Sequence, residues 1–144
     1  MHLRPVYLAL VFVGGMAGTL ARFGLTEAIP APAGLPLGIF VINIAGAFAL
    51  GLLLEALVCR GPDEGGRLVL RLLLGTGFLG GFTTYSALAV DSVLLLGAGR
   101  PVEGIAYLSV SVSLGFGATA AGIGLGRLVS RPGATPGATP GATP

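Results

Sequence analysis

GTGFLGGFTTYS, residues 75–86, contains a literal G-x-G-x-x-G in Gly75, Gly77 and Gly80. In a soluble βαβ unit that spacing wraps a dinucleotide pyrophosphate, and it needs a preceding strand and an acid about 20 positions on. Position 100 is Arg, the nearest downstream acid is Asp91, and no strand–helix alternation surrounds the motif. The nucleotide reading fails. Two readings remain: a helix-packing face, or a place where a membrane helix is deliberately interrupted. The glycines and threonines of this stretch give weak helix propensity. An interruption at membrane depth is tolerated where the freed backbone groups line a cavity or hold an ion.

The surroundings favour a membrane. Of 144 residues, 53% are hydrophobic and 10% charged, against about 25% charged in ordinary soluble domains. Four apolar stretches, at about 6–25, 37–58, 68–96 and 102–129, each reach the ~20 residues that cross ~30 Å of hydrocarbon. EAIPAPAGLP, CRGPDEGGR and GAGRP separate them, and connections this short force successive helices to run antiparallel. The expected fold is an all-α membrane protein of four transmembrane helices with a break in the third. The first stretch is too long for a signal-peptide core and lacks a convincing small-x-small cleavage site, so it is read as a retained helix. The transmembrane domain occupies residues 1–129. The GATP repeat of 130–144 is expected to be disordered, having no side chains to bury.

Charge bears on topology and partners. The pI is 9.2, but the net charge is only +2 and every basic residue is Arg. No basic patch with interleaved aromatics marks a nucleic-acid binder. Arg4, Arg60, Arg67, Arg71, Arg127 and Arg131 fall on one side, Arg22 and Arg100 on the other, which places both termini in the cytoplasm. Cys59 is the one cysteine, and His2 the one histidine. They offer neither a disulfide nor a metal cluster, and no nucleophile–base pair exists, so catalysis is not expected.

Polar groups inside the apolar stretches carry the functional signal. Arg22, near the end of the first stretch, either snorkels to the interface or guards a vestibule that attracts anions. Asn43 either bonds helices together through its amide or offers N–H groups to a passing anion. Carbonyls released around Gly80 to Thr83 would be hard oxygen ligands suited to a small cation. The hydroxyls of Thr83, Thr84, Tyr85 and Ser86 add donors beside them. Tyr107, Ser111 and Thr119 are spaced by four and eight, so they share one helix face, with Gly115 interrupting the stripe. Such hydroxyls either bond back to their own helix carbonyls or form an uncharged polar track with Asn43. Glu27, Glu55, Asp91 and Glu103 lie at or near helix ends, which argues against a proton-coupled transporter.

GGMAGTLARF (14–23), LGIFVINIAGAFALGLL (37–53), GTGFLGGFTTYSALAVD (75–91) and AYLSVSVSLG (106–115) together resemble the Fluc/CrcB fluoride channels of prokaryotes. The resemblance covers roughly residues 5–128. It implies passive fluoride export across the cytoplasmic membrane through an antiparallel, dual-topology-type dimer with two pores. It also implies a structural sodium ion at the interface, held by the backbone carbonyls that match Gly80 and Thr83. The family's pore asparagine falls on Asn43, its vestibule arginine on Arg22, and its polar track on Tyr107 and Ser111, extended to Thr119. Thr84, Tyr85 and Ser86 complete the pore set. Fluoride, sodium, lipid and a second chain are the implied partners.

Two departures bear on that reading. The family's phenylalanine pair falls on Tyr85 and Leu88; Tyr keeps a ring edge, Leu does not. Together with the arginine bias, this raises a heterodimer with a homologous chain beside the homodimer. A small multidrug-type transporter and a non-conducting subunit are the other readings. The first lacks its glutamate within the first helix here.

Overall fold

The computed structural model describes residues 4–130. Arg131, His2 and the GATP repeat lie outside the described residues. Helix α1 spans Pro5–Ala28, and a single 3₁₀ turn, Pro32–Gly34, follows. Helix α2 spans Leu37–Val58. The third segment is composite: α3 Gly65–Leu70, a π-helical stretch Arg71–Leu79, α4 Gly80–Phe82, and α5 Tyr85–Gly97. Helix α6 spans Pro101–Ser130. Among the described residues there is no strand.

The fold is all-α, with four spans long and apolar enough to cross a membrane: Pro5–Ala28, Leu37–Val58, Gly65–Gly97 and Pro101–Ser130. The 22 residues of α2 rise ~33 Å at 1.5 Å each, enough for the hydrocarbon. Proline opens α1 and α6, where its missing N–H costs nothing. The α1–α2 connection is pinned rather than loose. Ala33 takes a left-handed φ of 52°, and Arg100 Nη1 donates to its carbonyl at 2.8 Å. Arg100 also pairs with Glu103.

The packing follows from what lipid rewards. Apolar side chains gain little by hiding from one another in a bilayer, so small residues that admit close backbone approach hold the helices together. Phe12, Leu20, Phe23 and Phe116 are left exposed accordingly. Gly14 and Gly18 of α1 are buried, and a Cβ on either would collide with the backbone of Leu73 or Phe78 in the π-helical stretch. Helices α2 and α6 meet in the same way. A Cβ at Gly51 would stand 2.5 Å from the Thr119 carbonyl oxygen, and one at Gly122 would overlap that of Phe48. Beyond the break side-chain packing takes over, where Ile39, Leu88, Leu95 and Tyr107 form a core closed by Leu35, Phe40, Ala87 and Leu108.

The third segment departs from expectation in two respects. The interruption falls on Thr83 (φ −84°, ψ 156°) and Thr84 (φ −150°, ψ 123°), both extended, so Gly80 and Gly81 still belong to α4. The nine residues before α4 are π-helical, a widening that no residue pattern announced and that often accompanies functional sites.

Candidate functional site

The break is held by side chains from two other helices. Asn43, on α2, faces the Thr84 peptide with both halves of its amide. Its Nδ2 donates to the Thr84 carbonyl at 2.9 Å, and its Oδ1 accepts from the Thr84 N–H at 2.8 Å. The amide thus pairs with Thr84 as a neighbouring strand would, satisfying backbone groups that lipid cannot. Gly46, one turn along α2, lets Thr83 come close, since a Cβ there would run into the Thr83 methyl. Thr84 then caps α5: its Oγ1 accepts from the Ala87 N–H at 3.2 Å. Ser86 lies 3.1 Å from the same hydroxyl.

The Gly80 and Thr83 carbonyls are among those that lose their helical donors in consequence. In an unbroken helix the Thr84 N–H would serve Gly80 and the Ala87 N–H would serve Thr83. The first goes instead to Asn43 and the second to the Thr84 hydroxyl. The Gly81 carbonyl is served from α1, by Arg22 Nε at 3.3 Å and Thr19 Oγ1 at 3.4 Å. Arg22 is therefore turned inward, with its guanidinium on the break.

A cavity of about 300 Å³ opens beside the interruption, lined by Asn43, Thr83, Thr84, Tyr85, Leu88 and Thr119 among others. None of these carries a formal charge. Tyr85 is exposed and Leu88 buried, so the ring stands open at the cavity while the leucine closes its wall from the core. Asn43, Thr84, Tyr85 and Thr119 are thus brought together, with Ser86 adjoining through Thr84.

Tyr107 and Ser111 do not line that cavity. Both are buried. The Tyr107 hydroxyl donates to the Pro36 carbonyl at 3.3 Å, and Ser111 Oγ to the Tyr107 carbonyl at 2.5 Å. Thr119 Oγ1 lies 3.0 Å from the Gly115 carbonyl. Of the two arrangements open to a hydroxyl stripe, Ser111 and Thr119 adopt the back-bonded one.

The break also changes the setting of Asp91. Within one apolar run of 68–96 it counts as near an end. Because the break restarts the helix at Tyr85, Asp91 stands in the middle of α5, lining a cavity with Pro36 and Arg100. Its Oδ2 is buried with no hydrogen-bond partner among the described residues. A buried carboxylate oxygen without a partner is a signal in its own right, and reading the break as a helix end would have drawn attention to it.

Comparison with known proteins agrees with this architecture. Residues 9–123 match the family described as CrcB-like protein, Camphor Resistance (CrcB). The chain belongs to the CrcB-like family. Curated relatives span nearly the whole of this CrcB-like chain. It is 50% identical to Fluoride-specific ion channel FluC 2 of Leifsonia xyli subsp. xyli (strain CTCB07) over 129 residues, 90% of this chain and 89% of that one. It is 52% identical to Fluoride-specific ion channel FluC 1 of Cutibacterium acnes (strain DSM 16379 / KPA171202) over 113 residues, 78% and 79% of the two chains. Fluoride-specific ion channel FluC of Rhizobium leguminosarum bv. trifolii (strain WSM2304) is 39% identical over 124 residues, 84% of this chain and 96% of the other. These relatives are named as channels and not as enzymes, and with four spanning helices this CrcB-like chain is a multi-pass membrane protein.

Proposed function

We propose that this chain forms a fluoride-selective channel, carrying fluoride passively out of the cytoplasm across the inner membrane of a prokaryote. The observation that carries the reading is the uncharged cavity at the break, lined by Asn43, Thr83, Thr84, Tyr85 and Thr119, in a family whose relatives are named fluoride-specific channels. Fluoride is small and strongly hydrated. A pore for it needs donors that replace water without a fixed cation that would trap the ion. Asn43 has two amide hydrogens, and only one is spent on Thr84, leaving the other for the cavity. The Tyr85 ring presents a positive edge and a hydroxyl. The Thr84 and Ser86 hydroxyls share one short contact and hold donor capacity beyond it. Arg22 lies outside the cavity lining and adds positive potential from its place on the Gly81 carbonyl.

The donor set at the break suits sodium. Gly80 and Thr83 keep carbonyl oxygens without their helical donors, and hard oxygen ligands match a small hard cation. These two residues would hold the ion, which supplies positive charge to fix the interrupted backbone. A dimer follows from the same reading. Gly80, Gly115, Gly117 and Gly124 face open space, where the backbone of an antiparallel copy or of a homologous chain can approach. The arginine bias favours a chain of fixed orientation, hence a homologous partner, and the Tyr85–Leu88 pair fits a pore whose ring contacts are divided between two chains.

Proteoliposomes loaded with fluoride test the function. Efflux read by a fluoride electrode should be fast with the purified protein and far slower for chloride. Asn43→Leu should slow it about tenfold or more, the scale of a lost charge-assisted hydrogen bond. Chloride efflux equal to fluoride efflux, or no efflux from well-folded protein, would overturn the proposal.

A further inference from the structure

We infer that Asn43 is a positioning residue for the cation site as well as a lining residue of the cavity: its amide clamps the Thr84 peptide and so keeps the Gly80 carbonyl free for the ion. The inference rests on the sodium reading above and adds to it the device that makes the site.

Two acceptor oxygens compete for a single N–H. The Thr84 amide has two possible acceptors, the Gly80 carbonyl of a continuous helix or the Asn43 Oδ1. It is found on Asn43 at 2.8 Å, with the reciprocal bond to the Thr84 carbonyl at 2.9 Å. A buried peptide group left unpaired in lipid costs more than a hydrogen bond returns. Without Asn43, therefore, the Thr84 amide is driven back toward Gly80, and closing that turn consumes a proposed ligand of the ion. The reciprocal bond matters equally, because it satisfies a carbonyl that an extended residue would otherwise leave bare. Thr83 obeys the same logic one step on. Its helical donor, the Ala87 N–H, is drawn to the Thr84 hydroxyl, and Thr84 points there because the clamp holds its backbone extended (φ −150°, ψ 123°).

The clamp also joins two functions that a sequence reading keeps apart. Asn43 lines the cavity with Thr119 and Tyr85 through the amide that pairs with the break. One hydrogen of Nδ2 goes to Thr84 and the second is left for an anion, so an anion can be met without releasing the clamp.

The test uses the full-length protein in detergent and reads thermal unfolding against sodium at constant ionic strength, with potassium as the replacement ion. A ligand that binds only the folded state raises the unfolding temperature with a concentration dependence set by its affinity. Wild type should show a sodium-specific rise. In Asn43→Leu the sodium midpoint should move up about tenfold, equivalent to ~1.4 kcal/mol. Leu95→Ala is the control: it removes core packing away from the break and should lower the unfolding temperature at every sodium concentration while keeping the wild-type midpoint. A folded Asn43→Leu protein with a midpoint within about twofold of wild type overturns the inference. If wild type ignores sodium, the sodium reading itself fails, and hydrogen exchange then decides the clamp separately. The Thr84 amide in sodium-free wild type should be protected relative to an unstructured peptide, and exchange at the unprotected rate would overturn it. That second measurement also decides the matter if the leucine variant does not fold.

Discussion

The two halves of the third membrane segment are held by opposite means. Before the break, residues 71–82 lie against α1 chiefly backbone to backbone, where a Cβ at Gly14, Gly18, Gly77 or Gly81 would collide, with Thr19 and Arg22 adding side-chain bonds to the Gly81 carbonyl. After it, α5 is anchored by side chains, Leu88 and Leu95 interlocking with Ile39 and Tyr107. In water both would count as hydrophobic packing. In lipid the first gains from dispersion and close backbone contact, the second from shape. The difference teaches where rigidity is needed. The half that carries Gly80 is fixed mostly by backbone contacts with no rotamers to change, whereas the other half leans on an adjustable core.

Substitutions can break that contrast. Gly18→Val should have the largest effect, about 3 kcal/mol, because its side chain meets the Phe78 carbonyl and backbone cannot move aside as a side chain can. The expected readout is loss of the monodisperse peak in size-exclusion chromatography. Leu95→Ala should cost about 2 kcal/mol by leaving a cavity in the α5–α6 core, seen as a lower unfolding temperature with the fold retained. A greater loss from Leu95→Ala than from Gly18→Val would reverse the comparison. Gly75→Ala sharpens it from within the glycine half. A Cβ there meets only leucine methyls at 3.7–3.8 Å, ordinary contact, so stability should stay within about 0.5 kcal/mol of wild type. Buried glycine on this segment is then required only where it faces backbone.

Much of the fold was legible because hydropathy and length report the same physical demand. The second span was read at 37–58 and runs Leu37–Val58; the first continues to Ala28, past the point where apolar character fades at Arg22 and Glu27. The existence of a break was legible in GGFTT, since glycine and threonine make poor helix. Its position was not, because Thr83 and Thr84 become extended through a partner on another helix, 41 residues away. Helical periodicity put Tyr107, Ser111 and Thr119 on one face but carries no information about where a hydroxyl points. Ser111 turned to its own helix and Tyr107 to Pro36. Arg22 illustrates the same limit: snorkelling and vestibule readings fit one sequence equally, and the structure shows a third arrangement, with Nε on the Gly81 carbonyl.

The Asn43–Thr84 pairing has a consequence for biogenesis. A segment with two extended residues enters the bilayer carrying polar peptide groups that its own helix cannot satisfy. The group that satisfies them sits on α2, which leaves the ribosome first. The nascent third segment therefore meets a waiting partner, and the costly state need never be long-lived. A circular permutation that places α2 after α6 would keep the Asn43–Thr84 pairing in the folded protein while reversing that order, exposing the interrupted segment to lipid until the last helix arrived.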